Sequence, residues 1–227
     1  MKAPRCAAVV ALASMLAPAI ASAGTIDSLP VADRLQILAG VAVVRTQDIA
    51  GSSWPGVTVH QLVNATPEAA MAIFTDYDEQ ASYLKDCCGD LQSRVLDGAV
   101  GGDPRVQRVL YEIEVPVVSN ERYDLREEMS REGGGSYQVT WRKVSAGGHA
   151  DAIVGYALFE PHDGKTVFTY NSTTWITAFG AGVFADASVT RIQETATAMA
   201  RHIEQESAGG GAGFHADLAR LRAALEG

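Results

Sequence analysis

From residue 91 to 176 the chain alternates apolar and polar residues singly, and the alternation is cut by Asp97-Gly98, Gly101-Gly102, Gly133-Gly134-Gly135, Gly147-Gly148 and Asp163-Gly164. Period two in β-branched and aromatic residues marks strands, and glycine pairs mark the turns between them. The spacing predicts six strands, at 91–97, 105–115, 121–131, 136–144, 150–160 and 166–176. Connections this short suit an antiparallel meander. On 105–115, Val109, Tyr111, Ile113 and Val115 share one face while Arg108, Glu112 and Glu114 share the other, so the sheet is expected to bury one side only. A one-sided sheet needs a cover. At 186–207, Val189, Ile192, Ala196, Met199 and Ile203 recur at three- and four-residue steps against Arg191, Glu194, Arg201 and Glu204, which predicts a long amphipathic helix. Such a helix forms a rod on the order of 30 Å, enough to lie across a concave sheet.

Upstream, Val57, Val59, Gln61 and Val63 alternate with Thr58, His60 and Leu62, a further strand opened by Trp54-Pro55. Asn64-Ala65-Thr66-Pro67-Glu68 then reads as a helix start: Thr66 can cap exposed amides, Pro67 suits the first helical position, and Glu68 complements the positive end of the dipole. The pattern predicts short helices at 67–75 and 77–85, the second capped by Asp76 and ended before Cys87-Cys88-Gly89. Before the domain, 28–39 reads as a helix closed by Gly40, and 41–45 as a short apolar strand. Beyond it, Gly209-Gly210-Gly211-Ala212-Gly213 reads as a linker to a last helix at 216–225.

The N-terminus carries Lys2 and Arg5, an uncharged run from Cys6 to Ile20, and then Ala21-Ser22-Ala23. This is the layout of a secretory signal peptide, with an apolar run shorter than the roughly 20 residues a bilayer span needs. Residues 1–23 are therefore expected to be removed and the mature chain, beginning at Gly24, to be soluble and periplasmic. Loss of Lys2 and Arg5 takes the net charge from −9 to −11. Such a chain repels nucleic-acid phosphates, so nucleic acid is not expected as a partner. The five histidines are scattered and no Cys-x-x-Cys occurs, so neither a metal site nor a cofactor is expected. Cys87 and Cys88 are adjacent, and neighbouring Cα atoms lie closer than an ordinary disulfide prefers. The pair reads as two thiols at a helix exit, with a strained vicinal bridge as the alternative in an oxidising compartment.

The order strand, two short helices, six antiparallel strands and long helix resembles the helix-grip fold. The sequence also resembles the coenzyme Q-binding, polyketide cyclase and StAR-related lipid-transfer (START-like, SRPBCC) superfamily. The resemblance is carried by 57–63 leading into Ala65-Thr66-Pro67-Glu68, by Ile73-Phe74-Thr75-Asp76-Tyr77, and by Pro116-Val117-Val118-Ser119-Asn120 before Tyr123 and Leu125-Arg126. It continues through 155–161, Asp163-Gly164-Lys165-Thr166 and the closing helix. It covers 54–207, leaving 24–53 as an N-terminal helix-and-strand extension and 208–227 as a linker with a short helix. It implies an α+β fold in which an antiparallel, curved sheet of seven strands wraps a long C-terminal helix around a cavity for a hydrophobic small molecule.

No Gly-x-Ser-x-Gly and no phosphate-cradling glycine loop is present, so no residue is assigned to catalysis. An enzyme in this cavity would need an acid or base, for which Tyr111, Tyr123, His149 and Glu112 are the candidates; His149 follows Gly147-Gly148 and reads as a turn residue. The binding set is Tyr111, Tyr123, Trp141, Phe168, Tyr170 and Trp175 on the sheet, facing Ala196, Met199 and Ala200 on the helix. Small helix residues over a concave sheet leave room for an apolar ligand, whose polar end tyrosine hydroxyls can orient. Thr177-Ala178-Phe179-Gly180-Ala181-Gly182-Val183-Phe184 is apolar and glycine-punctuated, and Phe179 and Phe184 suit transient membrane contact. The expected function is periplasmic binding or transfer of a lipid-, sterol- or isoprenoid-type ligand, with a cyclase acting on a polyketide- or steroid-like substrate as the alternative.

Overall fold

The computed structural model describes residues 25–89, 91–113, 121–176 and 180–226. The expected signal peptide, the segment 116–120 and Phe179 lie outside them. The helix predicted at 28–39 is α2 (Val31–Leu38), and a single turn that the sequence pattern does not predict, α1 (Thr25–Ser28), precedes it. Pro30 divides them, since it offers no N–H and starts a helix better than it continues one. There follow β1 (Val43–Gln47), β2 (Gly56–Val63), α3 (Pro67–Phe74), α4 (Gln80–Cys88), β3 (Gln92–Asp97), β4 (Val106–Ile113), β5 (Glu121–Arg131), β6 (Tyr137–Lys143), β7 (Ala152–His162) and β8 (Lys165–Trp175). The long helix α5 (Ala185–Gly209) and a closing α6 (Ala212–Glu226) complete the chain.

All strands pair antiparallel in one sheet, in the order β1-β2-β8-β7-β6-β5-β4-β3. The sheet has eight strands rather than seven because β1 joins its edge, with Val44 opposite Val59. The reason is a second small core on the outer face, where Ile26, Ile37, Val43 and Val167 are buried together with Leu29 and Leu62 against them. The N-terminal extension therefore covers the back of β2 and β8. The main core lies on the other face, between the sheet and α3, α4, α5 and α6.

Local chemistry sets most boundaries. Thr66 caps α3 by accepting from the Ala69 amide at 3.3 Å, with Pro67 at the first helical position as its sequence predicts. Helix α4 begins at Gln80 rather than at 77, because the turn before it is tied to other elements. Tyr77 is buried and its carbonyl accepts from Ser93 Oγ at 2.6 Å, while Asp78 Oδ1 accepts from the Val95 amide at 2.9 Å. Cys87 and Cys88 consequently lie inside the last turn of α4, which Gly89 ends at φ +64°. The glycine-rich stretch expected as a linker is mostly helical: α5 runs through Gly209, Gly210 takes a left-handed cap, and α6 starts at Ala212. Leu221 and Ala224 of α6 are buried in the main core.

Candidate functional site

Alternation along β4 and β5 puts Gln107, Val109 and Tyr111 on the concave face, opposite Glu127, Leu125 and Tyr123 respectively. The Tyr111 and Tyr123 rings stack, with centroids 5.8 Å apart. Tyr170 of β8 meets Trp141 of β6 at 5.2 Å. Tyr111, Tyr123 and Tyr170 are only half-buried, yet desolvation is the main cause of a raised pKa at each hydroxyl. Tyrosines that keep accessible surface while burial raises their hydroxyls make this part of the concave face the candidate ligand recess. Tyr83 of α4 adds a fourth half-buried ring, stacked at 3.9 Å on His202 of α5, with its hydroxyl likewise pushed up by burial.

The rest of the predicted set divides by position. Phe168 is fully buried among Phe74 and Phe159, and Trp141, at 6% exposure, stacks on Phe74, so these rings form the wall behind the recess. Ala196 and Met199 are buried on the underside of α5. The room Ala196 leaves is taken by Gln61, whose Nε2 donates to the Ala196 carbonyl at 2.7 Å. Trp175 falls on the other face of β8: it is an odd number of residues from Tyr170, and the pairing with β7 runs without a bulge. Glu112 likewise alternates onto the face opposite Tyr111. His149 is a turn residue whose backbone N–H donates to Glu121 at 2.8 Å.

Glu127 is the group the sequence reading missed. At 2% exposure its carboxylate sits inside the domain, where Tyr111 Oη lies 3.1 Å from both Glu127 Oε1 and Gln80 Oε1. Gln80 is itself held by the Phe74 carbonyl at 3.1 Å. The Tyr77 hydroxyl acts on Glu127 as a long hydrogen-bond donor, and Tyr77 Oη and Glu127 Oε2, both buried, have no other partner among the described residues. Burial pushes the Glu127 carboxyl up to about 7, and the Tyr77 and Tyr111 hydroxyls offset part of the rise. The available signal was parity with Tyr123, masked by the neighbouring charges Arg126 and Glu128.

Cavities open elsewhere among the described residues. One of about 380 Å³ lies between the end of α2, β2 and α5, lined by Leu38, Gln61, Leu62, Ala200 and Glu204. Another of about 460 Å³ lies under α6 and reaches Tyr77, Gln107 and Met129, which flank Glu127. Cys87 and Cys88 are free thiols with Sγ atoms 3.2 Å apart, and Cys88 Sγ lies 3.3 Å from Thr195 Oγ1. Their mutual hydrogen bond draws the Cys88 thiol down to about 7 and drives that of Cys87 well up. Among the described residues no group of three or more metal-ligating side chains occurs.

A curved antiparallel sheet closed over a long C-terminal helix is the helix-grip architecture, the fold of START-like lipid-transfer domains and polyketide cyclases. Among solved structures, a STAR-related lipid transfer protein fragment from Xanthomonas axonopodis superimposes with a TM-score of 0.61 at 14% identity, covering 72% of this chain and 94% of that one. The human StAR-related lipid transfer protein 5 superimposes at 0.56 with 10% identity, over 75% and 83% of the two chains. The di-domain ARO/CYC StfQ from the steffimycin biosynthetic pathway superimposes at 0.50 with 12% identity, over 78% of this chain and 55% of its own. No protein-family model matches the chain, and no curated protein matches it.

Proposed function

We propose that the protein binds one hydrophobic small molecule in the tyrosine-lined recess and carries it without covalent change. The observation that carries this reading is the set of half-buried aromatic rings on the concave face, whose enclosed hydroxyls leave apolar surface free inside the domain. Burial of ligand surface at about 25 cal/mol per Å² supplies affinity with few polar contacts. Lipid transfer in the names of two proteins sharing the fold supports it. The setting proposed is the periplasm, on the strength of Lys2, Arg5, the apolar run 6–20 and Ala21-Ser22-Ala23. Membrane contact through Phe179 and Phe184 belongs to the same proposal, as the means of loading.

A cyclase-type reaction is the second reading, favoured by Glu127, an interior acid with a shifted pKa bonded to Tyr111. Native mass spectrometry and solvent extraction of protein purified from its own periplasm separate the two. An apolar compound recovered unmodified in near-equal amount supports carriage. An empty protein that turns over a polyketide- or steroid-like substrate, and loses turnover on Tyr111→Phe, overturns it.

A further inference from the structure

Cys87 and Cys88 lie side by side in the last turn of α4, and the hydrophobic-ligand reading makes no use of them. Their Sγ atoms face each other at 3.2 Å, and each is held from its far side. Cys87 Sγ donates to the Leu84 carbonyl at 3.2 Å, and Cys88 Sγ lies 3.3 Å from the Thr195 hydroxyl of α5. The two thiols differ in reach. Cys87 is half-buried and is the one a small reagent in water can meet, whereas Cys88 is 5% exposed and packed in the main core. We propose that the pair is a thiol–disulfide exchange site, in which Cys87 meets a small disulfide oxidant, Cys88 resolves the mixed disulfide into a reversible vicinal ring, and ring closure releases the end of α4 from α5. This inference does not depend on the recess or its ligand.

Exchange proceeds by attack of a sulfur on a disulfide through a mixed intermediate. With one proton shared between the two sulfurs, Cys87 attacks one sulfur of the oxidant, its proton passes to Cys88, and the first thiolate leaves. Cys88 then attacks Cys87 Sγ, the bond to the oxidant breaks, and the proton goes to the second leaving sulfur. The pair gives up two electrons, and the oxidant is reduced to one thiol and one thiolate. The shared hydrogen bond, which draws the Cys88 thiol down to about 7, keeps a thiolate present near neutral pH. Ring sulfurs carry no hydrogen, so the Leu84 carbonyl loses its donor, and closing the gap draws Cys88 Sγ away from Thr195. Neighbouring Cα atoms also lie closer than an ordinary disulfide prefers, which pulls the last turn out of helical geometry. Gly89, at φ +64°, follows directly and lets the chain turn there. A bridge strained in this way is readily reduced again.

The full chain carrying Cys6→Ser has Cys87 and Cys88 as its only thiols. It is exposed to oxidised glutathione, quenched with iodoacetamide and mapped by peptide mass spectrometry. The chain is expected to lose two hydrogens, to take up no iodoacetamide, and to regain both thiols in reduced glutathione alone. With Cys88→Ser added, the reaction is expected to stop at one glutathione on Cys87. With Cys87→Ser added instead, glutathione should attach about tenfold more slowly or less, because the remaining thiol is enclosed. Amide hydrogen exchange at 84–89 is expected to quicken by about threefold or more in the oxidised chain. If either added variant fails to fold, the parent chain decides the matter alone. A parent chain that keeps a glutathione, cross-links between molecules or stays fully alkylated would overturn the site. Equal rates for the two added variants would overturn the division of roles, and unchanged exchange at 84–89 would overturn the release of α4.

Discussion

Gly155 of β7 lies directly opposite Trp141 of β6, and the indole lies across it: a Cβ at this position would come within 2.6 Å of the ring and 2.2 Å of the Asn171 carbonyl oxygen. Backbone cannot give way there. Gly155→Ala is therefore expected to destabilise the protein by about 1–3 kcal/mol, measured by urea denaturation, with the Trp141 emission shifted in the folded state. Glu127 gives a second prediction, in the pH dependence of stability. Its folded pKa is raised from the usual 4.5 to about 7, so the folded state holds the proton more tightly than the unfolded chain. That contribution is complete at pH values below the unfolded pKa and is lost as pH rises through the folded one. Between those limits stability should fall by up to about 3 kcal/mol from this group. Glu127→Gln is expected to match the wild type near the acidic end and exceed it above about pH 7, which parallel urea curves at the two ends would reveal. A wild-type minus variant difference that does not change with pH would mean that Glu127 does not titrate in this window.

Elements were legible wherever one period ran undisturbed. The helix α5 follows from three- and four-residue steps and β6 from strict alternation, with Tyr137, Val139 and Trp141 buried, whereas β4 and β8 bury residues on both faces, Val106 and Leu110 in one and Val167 in the other, so the sheet is not wet along one whole side. The start of α4 was not, since Tyr77 and Asp78 serve contacts with β3 that no local pattern records. For the recess, parity along β4 and β5 sufficed to pair Tyr111 with Tyr123; the same rule, applied to Glu127 and Trp175, would have exchanged one for the other. What hid Glu127 was the rule that charges face water. The glycine run before α6 misled for another reason: propensity marks Gly as a helix breaker, yet Leu221 and Ala224 dock on the core and hold the helix through its glycine-rich start. Helix α6 should behave as part of the domain. Leu221→Ala, at 2% exposure, is expected to cost about 2–4 kcal/mol in a single cooperative unfolding transition. A second transition, or a loss within experimental error, would return α6 to the status of an appendage.

At the scale of the whole molecule, the proposed carriage would require the protein to meet a membrane while bearing a surface that resists it. The mature chain, if cleaved before Gly24, has a net charge of −11, which opposes approach to anionic headgroups. Against that stand exposed apolar side chains, on α2 (Val31, Leu35 and Leu38) and at the turn between β8 and α5, where Val183 is 83% exposed and Phe184 is 42% exposed. Water-facing side chains of this kind gain on the order of 1 kcal/mol or more each when they enter an apolar phase. Val183→Ser with Phe184→Ser is thus expected to slow transfer of a fluorescent lipid between zwitterionic vesicles by about fivefold or more, with no change in urea midpoint, since neither side chain is buried. The charge argument adds a condition on the vesicles. Transfer from anionic vesicles should be slower than from zwitterionic ones at low salt, and the gap should close at about 0.5 M salt, where screening shortens to a few ångströms. Equal rates for the double variant and the wild type would remove this turn as the membrane contact. A salt-independent gap between vesicle types would instead place the selectivity in the lipid the recess accepts rather than in the approach.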